Sequence, residues 1–237
     1  MRAFLAVSAI LCGCSSSPAP STSGAFAVVE LFTSEGCDSC PVAEAFANAL
    51  VAKKQPNVHV ITWHVDYFDD FGWKDPFAAP WATEHQQAYE DLNKTTIGTP
   101  EMFVNGGSAT YVTTDAQKAL DAALGVGASA TVTLGVVTSS KERLELRYQT
   151  SPAEPGAKLF IVLVERGLVG HPTGGELAGH TLPHENVARA RVVVPAAEGT
   201  TSLSIPTAVK REQASLIAFV QTTPSLRIVA ATKLDLP

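Results

Sequence analysis

The chain has 237 residues, 46% of them hydrophobic and 17% charged, a composition that fits a folded protein of one or two modest domains and excludes disorder over most of its length. Its 17 basic and 23 acidic side chains give a formal net charge of −6, with no basic stripe of the kind a phosphate backbone requires. Nucleic acid is therefore not an expected partner.

The first residues read as a targeting segment. Arg2 supplies a positive start, and Ala3 to Leu11 form an apolar run too short to span a bilayer as a helix. The run ends in Leu11-Cys12-Gly13-Cys14, which resembles a bacterial lipobox. Residues 1–13 are then a lipoprotein signal peptide and Cys14 the lipidated mature N-terminus. An ordinary cleaved secretory signal is the alternative. Ser15 resembles the pattern that permits sorting to the outer membrane, and residues 14–25, rich in serine, proline and threonine, read as a flexible tether. The expected location is the bacterial cell envelope, lipid-anchored and facing the periplasm, with Ser15 alone pointing to the outer membrane. Cys12 leaves with the signal and Cys14 is taken by lipid, so Cys37 and Cys40 alone remain for the folded part. In an oxidising compartment such a pair is either kept reduced by a redox partner or held as a disulfide.

Phe26 to Phe32 is nearly all apolar apart from Glu30 and fits a strand buried on both faces. After Ser34-Glu35-Gly36, the spacing of Val42, Ala45, Phe46, Ala49 and Leu50 predicts a helix starting at or just after Cys37. Val58 to Val65 reads as a second strand, and Trp81, Ala88, Tyr89 and Leu92 mark a second helix. Thr99-Pro100 then precedes a hairpin: Met102 to Val104, the turn Asn105-Gly106-Gly107, and a return ending at Tyr111-Val112. Thr114 and Gln117 resemble a capping box for a third helix with Ala116, Ala119, Leu120, Ala123 and Leu124 on its apolar face. The order β, α, β, α, ββ, α over residues 26–126 predicts an α/β thioredoxin-like domain. Past Gly127 the period changes to two, clearest in Arg143 to Gln149, with further strand-like runs at 131–137, 159–164, 190–194, 216–220 and 227–231. Residues 127–237 are therefore expected to form an all-β, sandwich-like domain of about seven antiparallel strands.

The dithiol is the strongest chemical signal. A cysteine at a helix start feels unpaired backbone N–H groups and the positive end of the dipole, both of which favour the thiolate that attacks disulfides. Cys37 is expected to be the exposed nucleophile and Cys40, about a turn further in, the resolving thiol. Pro41 suits a first helical turn. The charge of Asp38 opposes a low thiol pKa, which points to a less oxidising couple. Pro100 stands where the thioredoxin fold carries a cis proline beside the dithiol, so Thr99 and Pro100 are expected to shape the substrate groove. Half of a zinc site, or an inert disulfide on a binding scaffold, are the competing readings of the CxxC.

Other residues have two readings. His64 and Asp66 end the second strand and either tune the thiols or are satisfied within the core. Glu30 is costly in an apolar strand, so it is expected to pair with a partner such as Lys74 or to stay protonated near the thiols. Tyr67, Phe68, Phe71, Trp73, Phe77 and Trp81 either form an apolar lip that grips substrate, with Trp73 in contact, or cover the sheet. His85 reads as a packed histidine. His171, His180 and His184 share a glycine-rich stretch in which Pro183 breaks any helix that would align them, so no metal site and no cofactor are expected.

The segments Val29 to Pro41, His64-Val65-Asp66-Tyr67, Gly72 to Phe77 and Thr99 to Gly106 together resemble DUF1223, a family of uncharacterised exported bacterial proteins with a thioredoxin-like domain. The likeness continues through Val164 to Leu168, Gly175 to Thr181 and His184 to Arg189. It implies the dithiol at Cys37 and Cys40 and the proline at Pro100, gives Trp73 to Phe77 no role, and assigns no reaction. The family's usual small residue after the first cysteine is Asp38 here. The function expected is a cell-envelope thiol:disulfide oxidoreductase acting on protein or peptide thiols, the alternative a non-catalytic envelope lipoprotein that binds a peptide, glycan or metal.

Overall fold

The computed structural model of the chain describes residues 24–107, 110–153 and 155–236. The expected signal peptide, Cys14 and most of the tether lie outside these residues. Among the described residues no helix is long and apolar enough to cross a membrane.

The first half alternates strands and helices as its periodicity predicts. Strand β1 (Ala27–Thr33) is buried along its whole length because both of its faces are covered. Ala27, Val29 and Leu31 face helices α1 (Cys40–Ala52) and α3 (Thr113–Ala123), where Ala43, Ala47, Leu50, Ala116 and Leu120 complete a core. Val28 and Phe32 point the other way, into a second core with Ala82 and Tyr89 of helix α2 (Pro80–Asn93). Strand β2 (Val58–His64) runs parallel to β1, and the short β3 (Glu101–Val104) runs antiparallel on its other side. The parallel pair needs the α1 crossover, whereas β3 enters directly after the Thr99-Pro100 bond, which is cis.

Three local expectations are corrected. Helix α1 starts at Cys40, with Ser39 as its N-cap and Pro41 in its first turn, so Cys37 lies on the preceding turn and not in the helix. Thr114 and Gln117 form no capping box: the third helix begins at Thr113, and its N-cap, Val112, has no side-chain oxygen to offer. The hairpin turns at Asn105-Gly106, both at positive φ as that two-residue turn requires, and among the described residues it returns through the bridge from Met102 to Thr110. Asn105 is also a clamp. Its side chain accepts the Val28 N–H at 2.7 Å and donates to the Phe26 carbonyl at 3.1 Å.

The second half contains the strand runs read from period two, as β4 (Thr131–Ser139), β5 (Arg143–Ser151), β6 (Lys158–Glu165), β9 (Val187–Pro195), β11 (Ala214–Gln221) and β12 (Ile228–Asp235). It adds three that the pattern did not reveal: β7 (Leu168–Gly170), β8 (Leu182–His184) and β10 (Glu198–Ser204). The expectation of a purely antiparallel second half is also corrected. A seven-stranded mixed sheet in the order β12-β11-β6-β9-β2-β1-β3 runs through both halves, joined where Thr62 of β2 meets Val187 of β9 in parallel. Thr62 reinforces the junction: its hydroxyl donates to the Glu185 carbonyl, and its backbone N–H to that of Asn186.

Alternation along β6 and β11 shows how both faces of this sheet are used. Leu159, Ile161, Leu163, Leu216, Ala218 and Val220 face the three-stranded sheet β10-β5-β4. Their neighbours Phe160, Val162, Val164, Ile217 and Phe219 face the core shared with α2. The fold is thus mixed α/β, with one large sheet and two smaller antiparallel ones. β7 and β8 form the smallest sheet, and the glycine-rich segment 171–181 between them is carried back over the first half.

Candidate functional site

Cys37 and Cys40 are joined as a disulfide at the start of α1. The turn is set by backbone bonds from Cys37 N–H to the Ser34 carbonyl and from Cys40 N–H to the Cys37 carbonyl, and by the Ser34 hydroxyl accepting the Gly36 N–H. The expectation that Cys37 is exposed is corrected: it is 1% accessible, Cys40 0%. Part of the cover comes from the second half, in segment 171–181. Glu176 accepts the Asp38 N–H at 3.3 Å, and Gly174 and Gly175 pack against Gly72 and Trp73 so closely that a side chain at Gly174 would strike the Gly72 carbonyl. On the other flank Phe68 lies against Gly36 and meets the exposed Phe71 at a tilt of 49°. A small cavity of about 190 Å³ opens beside Ser34, Pro41 and Glu44, closed by Leu177, Leu182 and Pro183.

Behind the disulfide lies a buried polar cluster. Glu44 sits one helical turn after Cys40, on the same face of α1, and accepts the Thr33 hydroxyl at 2.7 Å. The His184 ring bridges two carboxylates, with Nδ1 2.5 Å from Glu44 and Nε2 3.1 Å from Glu35. Burial alone would lower its pKa, but the hydrogen bonds it donates to Glu35 and Glu44, aided by their charge, raise it to about 9, so the ring is cationic at neutral pH. Glu35 also accepts the Trp73 indole N–H at 2.8 Å. His64 Nδ1 lies 2.6 Å from Asp75, which further accepts the backbone N–H groups of Glu35 and Phe77. Burial would raise the Asp75 pKa. The adjoining His64 ring and these hydrogen bonds outweigh it and hold the carboxyl below its ordinary value. The two imidazoles meet edge to face at 4.9 Å, and Phe77 packs on both.

Of the residues singled out from sequence, His64 and Trp73 join this cluster, whereas Glu30 and Asp66 do not. Glu30 is on the opposite face of β1, and the expected pairing with Lys74 is corrected. Glu30 meets His85 Nε2 at 2.7 Å and accepts the Tyr89 hydroxyl at 2.5 Å and the Trp63 indole N–H at 3.2 Å. His85 is accordingly a packed histidine with a partner. Burial, together with the Glu30 charge, drives the Tyr89 pKa up, so it stays a donor. Asp66 bonds the Thr83 hydroxyl at 2.5 Å and so ties β2 to α2. The aromatic stretch divides: Tyr67 and Trp81 pack on the α2 core, Phe77 on the histidines, while Phe68 lies against Gly36 beside the dithiol, Phe71 meets Phe68 and Trp73 bonds Glu35. The cis Thr99-Pro100 bond leads into Glu101, whose pKa burial and a hydrogen bond to Glu90 raise to about 7. Sequence reasoning gives Glu35, Glu44 and Asp75 no role and weighs His184 only with His171 and His180, although the segments containing Glu35, Asp75 and His184 are among those that carry the family likeness. The three histidines of the glycine-rich stretch separate, His184 buried and His171 and His180 exposed.

A larger cavity of about 650 Å³ lies at the other end of α1, where His59 lines it with neither ring nitrogen hydrogen-bonded. Burial, and secondarily Lys233, lowers the His59 pKa from 6.5 to about 4. The unfolded chain therefore takes up this proton first as pH falls, and the stability that neutral His59 contributes is complete above 6.5 and lost on the way down to 4. Between pH ~7 and ~4.5 the parent is expected to lose about 2–3 kcal/mol more than His59→Phe in urea denaturation. Parallel pH profiles would refute this.

The chain matches the family described as "Protein of unknown function (DUF1223)" over residues 28–221. Among curated proteins none matches. Protein AGR_C_4864 from Agrobacterium tumefaciens superposes with a TM-score of 0.64 at 23% identity, over 89% of this chain and 94% of its own. HBP35 of Porphyromonas gingivalis reaches the same TM-score at 16% identity, over 90% of this chain and 76% of its own. Both share the fold. A domain of the outer membrane lipoprotein Omp28 from Porphyromonas gingivalis overlaps at a TM-score of 0.29 and 13% identity, over 46% of this chain and 88% of its own.

Proposed function

For this chain, which belongs to the DUF1223 family, we propose thiol:disulfide exchange at Cys37 and Cys40 on protein or peptide thiols in the bacterial cell envelope. The observation that carries the reading is the disulfide at the start of α1, with Cys40 as the first helical residue. Support comes from the strand order β2-β1-β3 with α1 as crossover and a cis proline before β3, which fits a thioredoxin-like unit over residues 26–126, followed by a sandwich-like unit over 127–237. The location rests on the sequence of residues 1–25, with Cys14 as the lipid anchor.

In the reducing direction, the Cys37 thiolate attacks one sulfur of a substrate disulfide, forms a mixed disulfide and expels the first substrate thiolate, which is protonated. Cys40, as thiolate, then attacks Cys37 Sγ, forms the protein disulfide and expels the second. Two electrons pass to the substrate, and a reduced partner restores the dithiol. Oxidation of a substrate dithiol runs the same steps backwards. Thr99, Pro100 and Trp73 are assigned to the substrate groove, and the exposed Val42 and Phe71 supply apolar contact for a peptide. Because Cys37 is buried, its cover has to open before a substrate sulfur reaches it.

That burial also favours a second reading, a structural disulfide on a binding scaffold, and one experiment separates the two. Cys40→Ser is expected to accumulate a mixed disulfide between Cys37 and a peptide disulfide, detected by mass and reversed by reductant. Absence of the adduct under conditions that denatured protein satisfies would favour the scaffold.

A further inference from the structure

We infer that Glu44, His64 and His184 form a buried binding site for one divalent transition-metal ion of the zinc class. One ligand atom from each residue lies within 4.8 Å of the other two. Bonds of about 2.0–2.2 Å would bring ligand atoms of a tetrahedral site to roughly 3.5 Å apart, so the donors close in by about an ångström. Binding exchanges the proton of the His184 imidazolium for the metal: the proton leaves to solvent, and the ring nitrogen turned to the ion gives up its hydrogen bond to the carboxylate.

Four features of the cluster point to a cation. His64 Nδ1 is engaged by Asp75, which leaves Nε2 buried and with no hydrogen-bond partner. A carboxylate that holds one ring nitrogen while the other faces inward is the arrangement that orients metal-binding histidines. Glu35, Glu44 and Asp75 bring three carboxylates to a region with two imidazoles, and among the described residues no lysine or arginine forms an ion pair with any of them. Glu35, already 3.1 Å from His184, is placed to supply a fourth oxygen. Finally, the backbone of Gly170 in β7 closes over Glu35 and His184, where even a methyl group would strike the Glu35 carboxylate. Two imidazoles with carboxylates suit zinc and its neighbours better than calcium or magnesium, which take oxygen ligands alone.

The site does not depend on dithiol exchange, and the test keeps the two apart. The purified protein is treated with chelator, its dithiol kept oxidised and stray thiols alkylated, and then titrated with Zn(II) by calorimetry and Co(II) by absorption. The expected result is one equivalent bound, with a Co(II) spectrum lacking thiolate charge transfer. His64→Gln should weaken binding about 100-fold or more, and Asp75→Asn, which spares all three ligands, about 10–100-fold. The double variant His171→Ala with His180→Ala should bind like the parent. Variants are compared only where metal-free circular dichroism matches the parent, and the parent's stoichiometry and spectrum decide the matter if neither folds. Absence of stoichiometric binding, a thiolate band, or loss of binding in the His171/His180 variant would overturn the inference.

Discussion

Cys37→Ser is expected to bring disulfide exchange with a model protein substrate down to the uncatalysed background while leaving the fold in place. The nucleophile in exchange is a thiolate, and a serine hydroxyl cannot replace it at neutral pH. Cys37 N–H and Cys40 N–H keep their backbone acceptors in the variant, so the turn into α1 does not need the sulfur. Cys40→Ser should retain the first attack and lose turnover, which distinguishes the order of the two cysteines. If Cys37→Ser matches a parent that clearly catalyses exchange, the chemistry lies elsewhere. If the parent itself shows only background, the disulfide is structural.

The largest loss of stability is expected from His184→Ala. The imidazolium is fully buried between Glu35 and Glu44, and its removal leaves two carboxylates facing each other with no cation between them. Breaking a buried ion pair from one side costs about 3–5 kcal/mol because the remaining charge is uncompensated. Some relief is available, since Glu35 keeps the Trp73 indole and Glu44 the Thr33 hydroxyl. Urea denaturation should show the full effect near neutral pH, and a loss below about 1 kcal/mol would mean that the pair is hydrated or protonated and not a buried charge cluster. The same variant should expose the dithiol to alkylation after reduction, because His184 ends β8 and Pro183 beside it accepts a hydrogen bond from Asn48 of α1.

The elements of the first half were legible because each depends on local sequence. Ala27 to Thr33 is apolar enough to be buried on both faces, and the spacing of Val42, Ala45, Phe46, Ala49 and Leu50 is helical, although the face that packs is corrected to Ala43, Ala47 and Leu50, with Val42, Ala45 and Ala49 exposed. The dithiol and Pro100 were legible for the same reason: CxxC and X-Pro are local signals. The polar cluster was not, because its partners are distant in the chain. His184 and Glu35 are 149 residues apart, His184 and Glu44 140. Nor does periodicity report that β9 joins β2, since a single parallel register pair carries the junction. Glu30 shows the same limit from the other side. The cost of burying it was foreseen, but its partners His85 and Tyr89 lie on α2, which periodicity placed only as a helix and not on a particular face of β1. The buried state of Cys37 was hidden for a related reason: segment 171–181 reads as a loop, and what a loop covers is decided by where β7 and β8 place its ends.

The most direct test of dithiol exchange is the midpoint potential of the Cys37–Cys40 couple, measured by equilibrating the purified protein across glutathione ratios and counting free thiols by alkylation and mass. Asp38 and Glu176 lie beside the pair and bring negative charge to it, which disfavours a thiolate and pulls the couple away from strong oxidants. A midpoint between about −270 and −120 mV, toward the reducing end, is the predicted result; a pair that stays oxidised below about −300 mV would contradict it and mark the bond as structural.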